Sequence, residues 1–103
     1  MYCVIFVTCP NKKVANKIVD SLLRKKLIAC ANIVAGVKSK YWWKGKIERS
    51  TEVLIIMKTK QNLFDGVKKE ILASHPYDVP EIICVKIDKG SKGYLNWIKG
   101  VTK

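Results

Sequence analysis

Few residues in this chain can do chemistry, and they are scattered along it. A single histidine, His75, stands in the segment HPYDVPEI, with Tyr77, Asp78 and Glu81 within the next six positions. Imidazole suits copper, zinc and nickel, and the carboxylates of Asp78 and Glu81 would add oxygen donors. That is a thin ligand set for one subunit, and a second copy could complete it. The place of His75, at a helix end directly before Pro76, predicts an exposed ring beside a loop. A lone histidine there is more often a capping or surface residue than a ligand.

Cys3, Cys9, Cys30 and Cys84 contain no C-x-x-C pair, which argues against a structural zinc knuckle. Cys30 is a soft ligand by type. It sits between Ala29 and Ala31, where a thiol also serves as a small buried hydrophobe. An even number of cysteines permits two disulfides, but thiols in strand-like apolar runs of a chain with no evident leader argue for free cysteines. No Ser/His/Asp arrangement, glycine-rich phosphate loop or metal-hydrolase signature occurs. Cys30 with His75 would be a nucleophile–base pair, and nothing local to Cys30 activates it. The expectation is a protein that is not an enzyme.

The elements that must position these residues read clearly. Residues 2–9 (YCVIFVTC) are β-branched and aromatic, a strand expected to be buried on both faces. Asn11 is the expected N-cap of a helix whose apolar stripe is Val14, Ala15, Ile18, Val19, Leu22 and Leu23. Residues 27–37 return to strand composition and continue through KSKYWW to Lys44-Gly45, a modest hairpin signal. KIERSTEVLIIMK is its partner, polar first and apolar later. A second helix is expected from about Gln61 to Ser74, capped by Thr59 or Asn62, with Leu63, Phe64, Val67, Ile71 and Leu72 inward. His75-Pro76 ends it, because a residue before proline leaves the helical region. EIICVKID is a fourth strand, and Ser91 caps a last helix. The order β-α-β-β-α-β-α over residues 1–103, with no linker or repeat, predicts one α+β domain: a ferredoxin-like sandwich with helices on one face of an antiparallel sheet.

Length and composition set the outer limits. One hundred and three residues, 49% hydrophobic and 27% charged, fit one globular domain. No apolar run reaches the roughly 18 residues of a membrane helix. The N-terminal MYCVIFVTCP lacks a basic region and a cleavage site, so the expected location is cytoplasmic, with no membrane partner. Twenty basic residues against eight acidic give +12, which raises nucleic acid as a partner. The cations are dispersed and all but two are lysines, whereas base readout favours arginine. An RNA-recognition domain shares the element order, but the third strand carries no RNP1 pattern and no aromatic for stacking. Nucleic acid is therefore not the expected partner.

One length does not fit a compact subunit. Residues 28–43 fully extended would span about 50 Å, against a radius of gyration of about 13 Å for a chain of this size. Either the strand bends at Gly36 or the hairpin protrudes. Near its tip stand Tyr41, Trp42 and Trp43. Neighbours alternate faces, so Tyr41 and Trp43 share one face and Trp42 takes the other. An exposed aromatic ribbon is an association hazard unless covered, and identical copies in a closed ring are the simplest cover.

The segments IACANI (28–33), YWWKGKIE (41–48), LIIMKTK (54–60), HPYDVPEII (75–83) and YLNWI (94–98) resemble the divalent-cation tolerance (CutA) family in order and spacing, over essentially the whole chain. The resemblance implies a ferredoxin-like fold similar to PII-type signalling proteins. It implies a tight homotrimer that exchanges the long hairpin, a link to copper and divalent-metal tolerance, and no enzymatic reaction. It implies Cys30 and His75 as candidate copper ligands, with Glu81 nearby. Copper-binding bacterial members have a further cysteine where this chain has Val7, with Cys9 two residues on, and some have two histidines where it has Ser74-His75. Similarity to PII-type trimers further implies a cleft between subunits. There Lys58 would meet a small anion and Trp43 would give a stacking wall, near Tyr77 and Asp78. The other reading of Lys58 is an ion pair with Asp78 or Glu81.

Overall fold

The computed structural model describes residues 1–103. Its elements follow in the order β1 (Tyr2–Cys9), α1 (Lys12–Arg24), β2 (Cys30–Trp43), β3 (Lys46–Lys60), a 3-10 turn (Gln61–Leu63), α2 (Phe64–Ser74), β4 (Ile82–Lys86) and α3 (Lys92–Val101). The strands form one sheet in the order β2-β3-β1-β4, and all three pairings are antiparallel. This is the α+β, ferredoxin-like arrangement expected from the element order. No helix is long and apolar enough to cross a membrane.

Alternation along the strands decides where the core sits. In β1, Cys3, Ile5, Val7 and Cys9 are fully buried, while Tyr2, Val4, Phe6 and Thr8 are half-buried. The first set packs with Val53, Ile55 and Met57 of β3, Ala15, Ile18, Val19 and Leu22 of α1, and Val67 and Ile71 of α2. Each such Ile, Leu or Val stabilises the fold by roughly 1.5–3 kcal/mol. The strand was expected to be buried on both faces; only the helix-side face is closed. The opposite face carries Val4, Phe6, Leu54 and Ile56 half-buried, and Ile83, Val85 and Val34 exposed. Its outward composition is apolar because nothing in the subunit covers most of it.

The caps behave as their chemistry requires. Asn11 Oδ1 accepts from the Val14 N–H at 2.9 Å, and Ser91 Oγ from the Tyr94 N–H at 3.4 Å. Helix α1 ends in a Schellman turn. Lys26 takes φ 56°, its N–H donates to Leu23 O, and the Leu27 N–H donates to Leu22 O. The expected caps of α2 are not used: that helix starts from a 3-10 turn with no side-chain cap. Thr59 instead is fully buried and donates from Oγ1 to Leu27 O at 2.7 Å. Leu23 and Leu72, expected on inner faces, are exposed because each lies at the edge of its helical stripe.

Both alternatives for the long strand are realised. Register shifts between Val34 and Val37, and Gly36 adopts φ +74° in that bulge. Pairing with β1 stops at Cys9↔Val53. Beyond it, Val37–Trp43 and Lys46–Glu52 continue as a two-stranded arm of about 23 Å. Lys44 (φ 52°) and Gly45 (φ 77°) close it as a two-residue turn of type I′. The molecule measures 44 × 26 × 22 Å, with a radius of gyration of 14.2 Å.

Candidate functional site

The segment 75–81 joins α2 to β4 and lies beside the root of the arm. His75 begins it. Its N–H donates to Ile71 O at 2.8 Å and closes α2. The ring is buried, only 9% exposed, against the expectation of an exposed ring. Nε2 lies 2.8 Å from Thr8 O, and Nδ1 accepts from the Tyr77 N–H at 3.1 Å. A nitrogen accepting from an N–H carries no proton itself, so this pattern assigns the proton to Nε2, which donates to the carbonyl. Both ring nitrogens are thus engaged, and His75 pins the loop to the end of β1. The sequence pointed to a ligand or a cap; the geometry is that of a clamp, made possible because β1 ends where α2 ends.

Tyr77 stacks obliquely on that ring, 4.7 Å between centroids, and its hydroxyl donates to Glu52 Oε2 at 2.8 Å. Glu52 lies on β3 one residue beyond the last pairing with β1 and is only 6% exposed. Burial, then hydrogen bonding to and repulsion by the Glu52 carboxylate, push the Tyr77 phenol well above its usual range. Burial, helped by the same negative charge, raises the Cys9 thiol to about 11. Glu52 was not singled out from the sequence. Its one signal there is position, an acid where the polar half of KIERSTEVLIIMK meets the apolar half.

Between the arm and the loop opens a cleft of about 880 Å³. Glu52 and Thr8 line it at the arm's root, Tyr41, Trp42 and Trp43 along the arm, and Tyr77, Asp78 and Glu81 along the loop. Lys38 and Lys40 also border it. Trp43, Tyr77 and Asp78, named from the sequence as cleft residues, are thus brought together within one chain, with Glu81 beside them. Lys58 is not among them. It lies six residues along β3 from Glu52, about 20 Å away, and its Nζ donates to Asn32 Oδ1. It pairs with neither Asp78 nor Glu81; the chain's single ion pair is Lys25–Glu70, at 2.6 Å.

Cys30 stands apart as well. Its cross-strand partner is Lys58, on the face away from α1 and α2, where α3 lies against it: Cys30 Sγ is 3.4 Å from Tyr94 Oη. That contact, more than burial, raises the Tyr94 phenol. His75 is anchored at Thr8, four residues along β1 from the row containing Cys30, and two strands over. Those spacings put the two side chains roughly 16 Å apart. One ion cannot reach both, and no three His, Cys, Asp or Glu residues gather closely enough to hold a metal within the chain. All four cysteines are free thiols.

The profile of the CutA1 divalent ion tolerance protein matches residues 3–101. The chain belongs to the CutA1 divalent ion tolerance family. Among its CutA relatives, the rice chloroplastic Protein CutA 1 is 43% identical over 97% of this chain, which spans 56% of that protein. The chain thus covers about half the length of the plant and animal relatives. It covers 97% of the Divalent-cation tolerance protein CutA of Pyrococcus horikoshii, at 42% identity. Solved CutA structures superpose closely. The Thermus thermophilus protein gives a TM-score of 0.97 at 38% identity over the whole of both chains. The Archaeoglobus fulgidus protein, titled a periplasmic divalent cation tolerance protein, gives 0.97 at 41%, also over both whole chains.

Proposed function

We propose that the protein works in the cytoplasm as a homotrimer that binds copper or another divalent cation without turning anything over. Membership of the CutA1 family over residues 3–101 carries this reading. Assembly is supported by the uncovered apolar sheet face of Val4, Phe6, Ile56, Ile83 and Val85, and by the projecting aromatic arm. Free thiols support a reducing compartment, although two relatives are named for the chloroplast and the periplasm.

The residues of one chain do not by themselves fit a metal: Cys30 and His75 are far apart, and the His75 ring has no free lone pair while its two hydrogen bonds hold. In this reading the ion takes donors from more than one copy, with Cys30 and Glu81 the freer groups. Light scattering should give about three times 11.7 kDa. Calorimetric titration with Cu(II) should show saturable binding that Cys30→Ser weakens and His75→Ala leaves in place. A monomer, or unchanged binding in Cys30→Ser, would refute the corresponding part.

A second reading, a PII-like module binding a small ligand, is favoured by the cleft between arm and loop. Its form as an anion site needs a second copy to bring Lys58 to Trp43, because within one chain Lys58 lies six residues along β3 from Glu52, about 20 Å away. Binding to single-stranded RNA is expected to be weak and to collapse with salt, as dispersed charge alone requires.

A further inference from the structure

We propose that the cleft between the arm and the 75–81 loop is a site for an organic ammonium ion, of the polyamine or alkylamine class, with Glu52 as its charge partner. The inference rests on the second reading above, that the cleft takes a small ligand, and names the chemistry of that ligand.

Three observations converge. The first is charge. The chain carries twenty cations against eight acids, yet three of those acids, Glu52, Asp78 and Glu81, line this one cleft, against two lysines. One of the two, Lys38, is turned to Thr51 Oγ1 at 3.1 Å. The local sign is opposite to that of the whole molecule. None of the three carboxylates is paired with a cation of the chain.

The second is Glu52 itself. It is 6% exposed, and its only hydrogen bond is from a neutral donor, the Tyr77 hydroxyl, at Oε2. Its other oxygen accepts nothing from the chain, and the residue lines the cleft. No buried side-chain oxygen is left without a partner, so this second oxygen is open to the cleft, where an ammonium ion can replace water with a charge-assisted hydrogen bond.

The third is the wall. Tyr41, Trp43 and Tyr77 line the same space. Aromatic faces attract ammonium and alkylated ammonium groups, more strongly where water is excluded. A bare metal ion would need at least three donors converging within about 2.5 Å of one point, and no such group exists here. An ammonium on an apolar chain needs no convergence: it can meet carboxylates at separate points along a cleft of about 880 Å³, a volume ordinary for small ligands.

The test uses the full chain in its native assembly, titrated with spermidine at about 150 mM salt and followed by calorimetry and by fluorescence, which Trp42 and Trp43 would report. The expected result is saturable binding, one ligand per chain. Glu52→Gln should weaken it about tenfold or more, as loss of a partly buried charge contact implies. Trp43→Leu, at a position 42% exposed, should weaken it several-fold and keep the proposal testable should Glu52→Gln fail to fold. AMP and Mg²⁺ are the controls. Tighter binding of AMP than of spermidine would overturn the ammonium assignment while leaving a ligand cleft. Absence of any saturable ligand would remove both. Spermidine binding unchanged in Glu52→Gln and Trp43→Leu would also overturn it, as mere surface association.

Discussion

Replacing Tyr77 by Phe isolates the contact on which the cleft is built. Phe keeps the ring against His75, 4.7 Å between centroids, and removes only the hydroxyl that donates to Glu52 at 2.8 Å. A hydrogen bond to a charged group contributes about 1.5–3 kcal/mol, and a buried acceptor left without its donor costs about that. Water can enter from the cleft side and offset part of the loss, so about 2 kcal/mol is expected at pH 7. The assay is urea unfolding at fixed protein concentration, with Glu52→Gln and the double variant completing a mutant cycle. The coupling between the two sites should be 1 kcal/mol or more.

The same contact has a pH signature. The Tyr77 phenol is raised in the folded protein, while in the unfolded chain it titrates near ~10. The contribution is therefore whole below pH ~10. Above that, ionisation of the unfolded chain drains it away as the pH climbs toward the higher folded value. The stability gap between wild type and Tyr77→Phe should narrow from pH ~10 upward. Equal stability at pH 7, or a gap that stays constant to pH 11, would refute the reasoning.

Lys26→Gly should stabilise the protein by about 1 kcal/mol, because φ 56° is costly for a residue with a Cβ and free for glycine; a fall in the urea midpoint would contradict this. Thiol labelling under native conditions at pH 8 should find Cys30 and Cys84 at least tenfold faster than Cys3 and Cys9. The latter pair are fully buried, and burial first of all raises them to about 12 and about 11; uniform labelling would show that the core opens. Stability contributed by those neutral thiols is whole below pH ~9 and lost as the pH rises through these values. Phe6→Glu, on the uncovered sheet face, should lower the mass found by light scattering toward 11.7 kDa with native circular dichroism; an unchanged oligomer would exclude that face from the interface.

Much of this protein is written locally. The extended β1 strand, the Asn11 and Ser91 caps, the stop at His75-Pro76 and the Lys44-Gly45 turn all follow from short-range sterics and hydrogen bonding, and a single sequence carries those. Tyr77, Asp78 and Glu81 could be named as a group because they are contiguous, so no fold is needed to bring them together. The excess length of the hairpin was likewise a matter of counting residues against the size of a globule.

Strand register decided the rest. It put Glu52, twenty-five positions away in the chain, against Tyr77, and Lys58 six residues too far along the same strand to reach the cleft. Within one chain it set Cys30 and His75 in rows that no single ion can bridge. It also turned the lone histidine inward, since the end of β1 presents the Thr8 carbonyl just where α2 stops. Register arises from the summed fit of a whole sheet against its helices, and no short window of residues contains that sum.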